Sequence, residues 1–599
     1  MIMRLRDITI RIVSIILAAV LLIAAGLQLD FINSQRKEMG LIVNEPLENA
    51  PPSLAFATVA MGAFRGLVVD ILWLRADRLK EQGQYFDAKQ LAEWITTLQP
   101  RFASVWEFHA WNMAYNISAA IPVTEPEQRW QWIKNGWELL RDEGIPLNPK
   151  AIVLYRQLAL LFQHKISGTT DDAHEYYKLQ LVEIMEPLLG AADSQYFKDI
   201  AEAPAELEEV INDANIAPLI KALQSADGIF ADKGRFVQNY LSFRQNPRRF
   251  AAEAFKVIDS FRGGWALKKL DIFTKAWQLR NVWKLDPVLM QQLNKTYGPI
   301  DWTDPNTHLP LDWRHPDTHA LYWAVKGLKT AGKKEYSIDE TNTDRIVNHS
   351  LQNLFRNGKV FVYDLSDTIP QESSPQGSSG PTKKVFYRPD FRMFENYNIA
   401  AKAVLEKYKD IEKKGTYQSL KDGHRHMLTN AVLSFYQAGL KLQAQKIFEQ
   451  LKELYPRPEN EVSLVVFARN RIRDEFEALG INNAKEQILA LLRESYFLYA
   501  IRDDDEAFGR EKMAEDIYKY YQSIYSDDER IDLPDFKLLK YFAIVDFLYD
   551  NRLVPEIRRN LLGRIKIERP KLFEQFRQQA EKLKEQAEQQ QKQAPQESK

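Results

Sequence analysis

Residues 70–100 read DILWLRADRLKEQGQYFDAKQLAEWITTLQP, and the apolar pattern in this stretch organises the rest of the chain. Counted back from Pro100, Gly83 is a turn glycine, Tyr85 an aromatic opening, and Ala88, Ala92, Ile95 and Leu98 a face of small and apolar residues. Before the glycine, Leu72, Ala76 and Leu79 form a second stripe at helical spacing, with Trp73 and Leu74 beside it. The spacing predicts two helices joined by a turn. The cycle restarts after Pro100 with Trp106, Ala110 and Met113, and after Pro149 with Tyr155, Leu158, Ala159 and Phe162. In each unit the small residue lets a partner helix approach closely, and the large residues on either side fill the space around it.

Near the other end, Leu428, Ala431, Val432, Phe435, Gly439, Ala444, Phe448, Leu451 and Pro456 reproduce the whole pattern without a gap. This pattern resembles the tetratricopeptide repeat (TPR), a helix-turn-helix unit with a period of about 34 residues. The resemblance covers about a third of the chain. Over its full length the chain also resembles membrane-anchored TPR-like proteins of bacterial envelopes that lack an assigned activity. The expected fold is all-α: a TPR-like α-solenoid of helical hairpins with an N-terminal transmembrane helix and one small β-hairpin insertion.

The chain has 599 residues, with 80 basic and 81 acidic side chains that nearly cancel to a net charge of −1. No global field would draw it to nucleic acid, and none is expected as a partner. Cysteine is absent, which excludes a disulfide framework, a thiolate metal site and a cysteine nucleophile. Apolar residues make up 45% and aromatics 12%, enough for large cores.

Residues 1–33 carry a membrane signal. Ile12 to Leu29 is an apolar run broken only by Ser14, Gly26 and Gln28, about the length that crosses a bilayer core as a helix. Arg4, Arg6 and Arg11 precede it, which places the N-terminus in the cytoplasm and the bulk of the chain outside, on the periplasmic side. A cleaved signal peptide with Ala24-Ala25-Gly26 as its small-residue site is the competing reading. A second apolar stretch, Leu54 to Leu74, contains Arg65 and Asp70, and reads as a buried helix leading into the first repeat rather than a span.

The repeats would then occupy 53–190, followed by an irregular helical region over 191–300, with short helices from Asp193 to Pro218 and two more around Gly263-Gly264. In 301–358 a local duplication stands before further TPR-like helices. Asp301, Trp302, Pro305, Thr307 and His308 recur as Asp312, Trp313, Pro316, Thr318 and His319, and both tryptophans are expected to pack inward. Alternating runs Lys359–Asp364 and Lys383–Tyr387 flank a Ser-, Gly- and Pro-rich stretch, which predicts a hairpin over 359–388 as the sole β-structure. C-terminal TPR-like helices fill 389–570, and 571–599 reads as a polar helix and disordered tail.

No phosphate-cradling loop, dinucleotide fingerprint or nucleophile elbow is present, and neither an enzyme activity nor a cofactor is expected. His308, His315 and His319 with Asp301 and Asp312 could supply nitrogen and oxygen ligands, although capped turns explain the same residues. His424-Arg425-His426 reads as a polar surface opening the strong repeat. The expected function is a membrane-anchored scaffold for protein–protein interaction, binding a protein or peptide partner and held in the membrane by residues 12–29. The alternatives are an envelope hydrolase with an aromatic-lined groove, or a metal-binding protein built on the duplicated turn.

The TPR resemblance further implies a concave groove formed by first-helix positions two, five, nine, twelve and thirteen. In the first unit these are Asp70, Trp73, Asp77, Lys80 and Glu81; in the second, Ser104, Glu107, Trp111, Ala114 and Tyr115; in the third, Val153, Arg156, Leu160, Gln163 and His164. Asp77, Glu107, Trp111, Tyr115, Arg156, Gln163 and His164 are the groove candidates, a mixture of aromatic anchors and both signs of charge.

Overall fold

A computed structural model describes residue 17 and residues 64–190, 192–331, 337–364, 383–410, 414–438, 440–476, 481–525, 533–549, 553 and 555–578. These residues are overwhelmingly helical, and they divide into two compact units. One runs to His109 and includes Glu143–Pro149; the other comprises Ala110–Asp142 and the chain from Lys150 onward.

In the first unit, α1 (Phe64–Glu81) and α2 (Tyr85–Leu98) form the first predicted hairpin. Gly83 takes φ of 75° between them, a left-handed conformation that favours glycine. Its N–H donates to the Lys80 carbonyl and that of Gln84 to Leu79, so the turn closes the carbonyls that α1 leaves open. Ala76, Ala88 and Ala92 are fully buried where small residues were expected. Val69, Ile95 and Val105 form a core against which Trp73, Phe102 and Phe108 pack, and the Trp73 and Phe108 rings meet edge to face at 5.0 Å. The Pro100 carbonyl accepts from both Trp106 Nε1 and Asn148 Nδ2 at 2.8 Å. The expectation of a buried helix over 54–74 holds for one face of α1 alone. Leu67, Ile71 and Leu74 are exposed on the other, and residues 54–63 lie outside the described residues.

The second unit begins within α3 (Ala103–Trp111), which widens into a π-helical turn, π1 (Asn112–Ile117). Next come α4 (Pro126–Glu138) and π2 (Leu139–Gly144), the last two residues of which belong to the first unit. Then α5 (Ile152–Leu160) widens into π3 (Leu161–Ile166), and α6 (His174–Leu189) follows. A buried aromatic column runs through this region: Trp130 on Trp137 at 4.9 Å, Trp137 stacked on Phe162 at 5.3 Å, and Phe162 stacked on His319 at 5.1 Å. α5 lies against α7 (Pro316–Ala331) and α8 (Ile338–Asn357). A side-chain carbon at Gly327 would fall 2.6 Å from Tyr155 Cβ, so α7 and α5 meet at backbone distance. Between α6 and α7 the chain makes an excursion with a core of its own, including Ile220, Phe230, Tyr240, Phe243 and Leu270.

The duplicated turn behaves differently in its two copies. In the second, Trp313 is 1% exposed, donates from Nε1 to Asn294 Oδ1 at 3.0 Å, and packs on His319 and Tyr322. In the first, Trp302 is 49% exposed, which corrects the expectation that both rings face inward. The second copy runs directly into α7, whose burial carries Trp313 with it; the first is an external loop closed by its own Asp301 and Asp304 hydrogen bonds.

Strands β1 (Lys359–Asp364) and β2 (Lys383–Arg388) pair antiparallel, Val360 opposite Tyr387 and Val362 opposite Val385. The hairpin tip lies outside the described residues. An isolated bridge between Ile300 and His308 adds a second patch of β pairing that the sequence did not suggest. α9 (Phe394–Tyr408), α10 (Lys414–Gln437) and α11 (Lys441–Leu454) follow, and the strong C-terminal repeat buries Leu428, Ala431, Val432, Phe435, Ala444, Phe448 and Leu451. Gly439 and the apolar run 12–29, apart from Leu17, lie outside the described residues. Among the described residues no helix is long and apolar enough to cross a membrane.

Candidate functional site

π1 and π3 face each other in the second unit and bring together Tyr115 and His164, with Trp111 at the end of α3 beside them. π-helical turns insert one residue into a helix and occur often at functional sites. Trp111 and Tyr115, one turn apart on the same face, stack at 3.9 Å with an interplanar angle of 15°. The Tyr115 hydroxyl lies 3.2 Å from His164 Nδ1 on π3. Trp111 is 38% exposed, His164 is exposed and Tyr115 half-buried, so the three form an aromatic patch with an open outer side. Burial pushes the Tyr115 phenol above its ordinary value, and it stays a neutral hydrogen-bonding group at physiological pH.

Beneath the patch lies a buried ion cluster. Lys165, the residue after His164, places Nζ 5.3 Å from the Tyr115 ring centre and donates to Asp171 Oδ2 at 2.6 Å. Arg129 donates to Asp171 Oδ1 at 2.9 Å, and the Tyr177 hydroxyl and Ala173 amide donate to the same oxygen. Burial pushes the Asp171 carboxyl up, but the Lys165 hydrogen bond, the Ala173 amide and the Lys165 charge outweigh it and hold the group below the usual carboxylate range. Burial lowers the Lys165 ammonium against the opposing pull of Asp171. One carboxylate thus serves two buried cations, and the surplus positive charge faces the negative face of the Tyr115 ring.

The other candidates lie elsewhere. Gln163 is buried and donates to the Ile346 carbonyl at 2.9 Å and to Ser350 Oγ at 2.8 Å, tying π3 to α8. Arg156 is 3.4 Å from Asp339, also on α8. Asp77, paired with Lys80 at 2.9 Å, and half-buried Glu107 belong to the first unit.

The histidines and aspartates of the duplicated turn do not form a ligand set. His319 Nε2 is bonded to the Trp313 carbonyl at 2.9 Å, and His315 Nδ1 accepts from the Asp317 amide at 3.1 Å. Burial drives these imidazoles down to about 4 and about 3. Asp301 and Asp312 accept from their own turns. Among the described residues no group of three or more His, Asp or Glu side chains could hold a metal ion.

A polar residue that sequence reasoning passed over sits at the centre of this region. Asp317 has no solvent exposure, accepts from Ser167 and from Asn353 Nδ2, and lies where π3, α7 and α8 meet. Burial pushes its carboxyl up to about 7, against the hydrogen bonds of Ser167, Asn353 and Ser350. The only sequence signal was its place in the first turn of a helix after Pro316, which marks a dipole partner on a surface helix equally well.

The reading of His424 as surface is also corrected. It is 4% exposed, with Nδ1 2.7 Å from the Tyr455 hydroxyl and Nε2 2.9 Å from Asn398 Oδ1. The α10 face that carries it packs on α9, and burial, followed by the Lys402 charge, lowers it to about 4.

No protein-family model matches the chain, and no curated protein matches it.

Proposed function

We propose that this chain is a TPR-like scaffold, an α-solenoid held in the envelope membrane by residues 12–29, with its repeats on the periplasmic side presenting a binding surface to a protein or peptide partner. The observation that carries the reading is the convergence of Trp111, Tyr115 and His164 on one exposed patch. These positions follow from the repeat offsets, and three of them meet within hydrogen-bond and stacking distance, Trp111 at the end of α3, Tyr115 on π1 and His164 on π3. A stacked Trp–Tyr pair offers a large, rigid contact area with a polar edge, the makeup of an interface hot spot. The Arg129–Asp171–Lys165 cluster beneath supports it by fixing π3 against α4 and the loop that precedes α6.

Photocrosslinking from position 111 in native membranes, with identification of the captured species, tests the proposal. A single protein species should be captured, and its yield should fall at least about tenfold in a Tyr115→Ala, His164→Ala variant whose melting temperature is unchanged. Capture that is indifferent to these substitutions would remove the patch from the interface.

A further inference from the structure

α8, α9 and α10 enclose a cleft of 530 Å³ in the second unit. Its volume falls within the roughly 300–1,000 Å³ typical of ligand pockets. Ala401, Val404 and Leu405 give it an apolar wall on α9. The opposite wall is one face of α8, where Arg345, Asn348, His349 and Gln352 recur at positions i, i+3, i+4 and i+7. This face extends about 10 Å along the helix. α10 closes the cleft with His424 and His426, of which His424 already spends both ring nitrogens on Tyr455 and Asn398.

Two observations indicate what the cleft accepts. The first is charge: among the described residues that line it none is acidic. Arg345 donates to the neutral Asn342 amide oxygen at 3.1 Å and has no carboxylate partner among the described residues. The nearby acids are engaged elsewhere, Asp344 with Lys407 and Tyr408, and Asp422 with Arg425 at 3.6 Å. The second is an open valence. Asn348 Oδ1 is buried in the α8 wall and accepts no hydrogen bond. A buried amide oxygen left without a donor is costly, and a ligand N–H would satisfy it.

We infer that this cleft binds an extended acidic peptide segment. One carboxylate is held by Arg345 with His349 and His426, a backbone N–H is accepted by Asn348, and an aliphatic side chain packs on Ala401, Val404 and Leu405. A small inorganic anion would use the charge but leave the apolar wall and the Asn348 oxygen unsatisfied. The ionisable groups lining the cleft are Arg345 and His349 from α8, Tyr397 from α9, and His424 and His426 from α10; outside the lining, Lys402 acts on His424, and Arg425 and Asp422 pair with each other. Burial, then the Arg345 charge, lowers the His349 imidazole in the free cleft. A carboxylate placed between the two reverses that second effect, so binding takes up a proton and strengthens as pH falls from 7.5 to 6. The inference does not rest on the scaffold reading, since the measurement below reports on the cleft alone.

The test is fluorescence anisotropy of the full chain with three labelled, end-blocked peptides that alternate leucine with glutamate, glutamine or lysine. The glutamate peptide should bind, more tightly at pH 6 than at 7.5, and at least about tenfold more tightly than the other two. Arg345→Gln and, independently, Asn348→Leu should each weaken it by about tenfold while leaving the melting temperature unchanged. Equal binding of the glutamine or lysine peptide, or indifference to Arg345→Gln, would overturn the inference. Full displacement by millimolar inorganic phosphate would reduce the cleft to a simple anion site, and would overturn the peptide assignment as well.

Discussion

Trp302 and Trp313 occupy the same place in two copies of one local sequence, and only tertiary context separates them. Removing the buried Trp313 ring leaves a cavity and strips one of the two donors from Asn294 Oδ1, which keeps the Leu311 amide, so Trp313→Ala should cost about 3–5 kcal/mol. Trp302→Ala should stay within about 0.5 kcal/mol, the range of surface changes. Urea unfolding of the two variants checks this, and equal losses would show that the first turn is packed after all. Asp317 gives a second contrast. Its folded-state value near 7 stands above its ordinary value of 3.8, so the folded chain keeps a proton that the unfolded chain releases. Its contribution to stability is therefore full below about pH 4, and is lost as pH rises through the folded value near 7. The stability of the native protein relative to an Asp317→Asn variant should fall by up to about 4 kcal/mol between pH 4 and pH 7 and level off above. A difference that stays constant across this window would mean that Asp317 remains ionised when folded.

Among the elements, the helices and the hairpin were legible from period alone. The alternation of Lys359–Asp364 and Lys383–Tyr387 gave strands with the observed limits to within a residue, because a period of two leaves one register in which Val360 turns inward. Small residues at Ala76, Ala88, Ala431 and Ala444 marked close contacts because nothing larger fits where two helices touch. The π-helical turns carried no signal of this kind; Asn112–Ile117 and Leu161–Ile166 are as compatible with a regular helix as the residues around them. The contact between α5 and α7 makes a prediction at this scale. Gly327→Ala would place a carbon 2.6 Å from Tyr155 Cβ, so the helices must separate, at a cost of about 1–3 kcal/mol. A melting temperature equal to that of the native chain would show that α7 can shift without loss.

At the scale of the molecule, the proposed topology predicts that reporter fusions after residue 50 and after residue 200 both register the outer side of the membrane. A cytoplasmic signal from the second fusion alone would mean that Leu54–Leu74 spans, and the partner-binding patch would then face the cytoplasm. The sequence by itself determined that the described residues are overwhelmingly helical, where the Gly83 turn falls, and which residues are small enough to let helices touch. These properties depend on neighbours three or four positions away, so they are written locally. Only the tertiary structure decided that α5 packs on a helix beyond an excursion with its own core, that Gln163 and His424 are interior struts, and that Asp317 is a buried acid. Each of these depends on which distant surface excludes water from a residue, and a periodic pattern shows that a face is covered without naming what covers it.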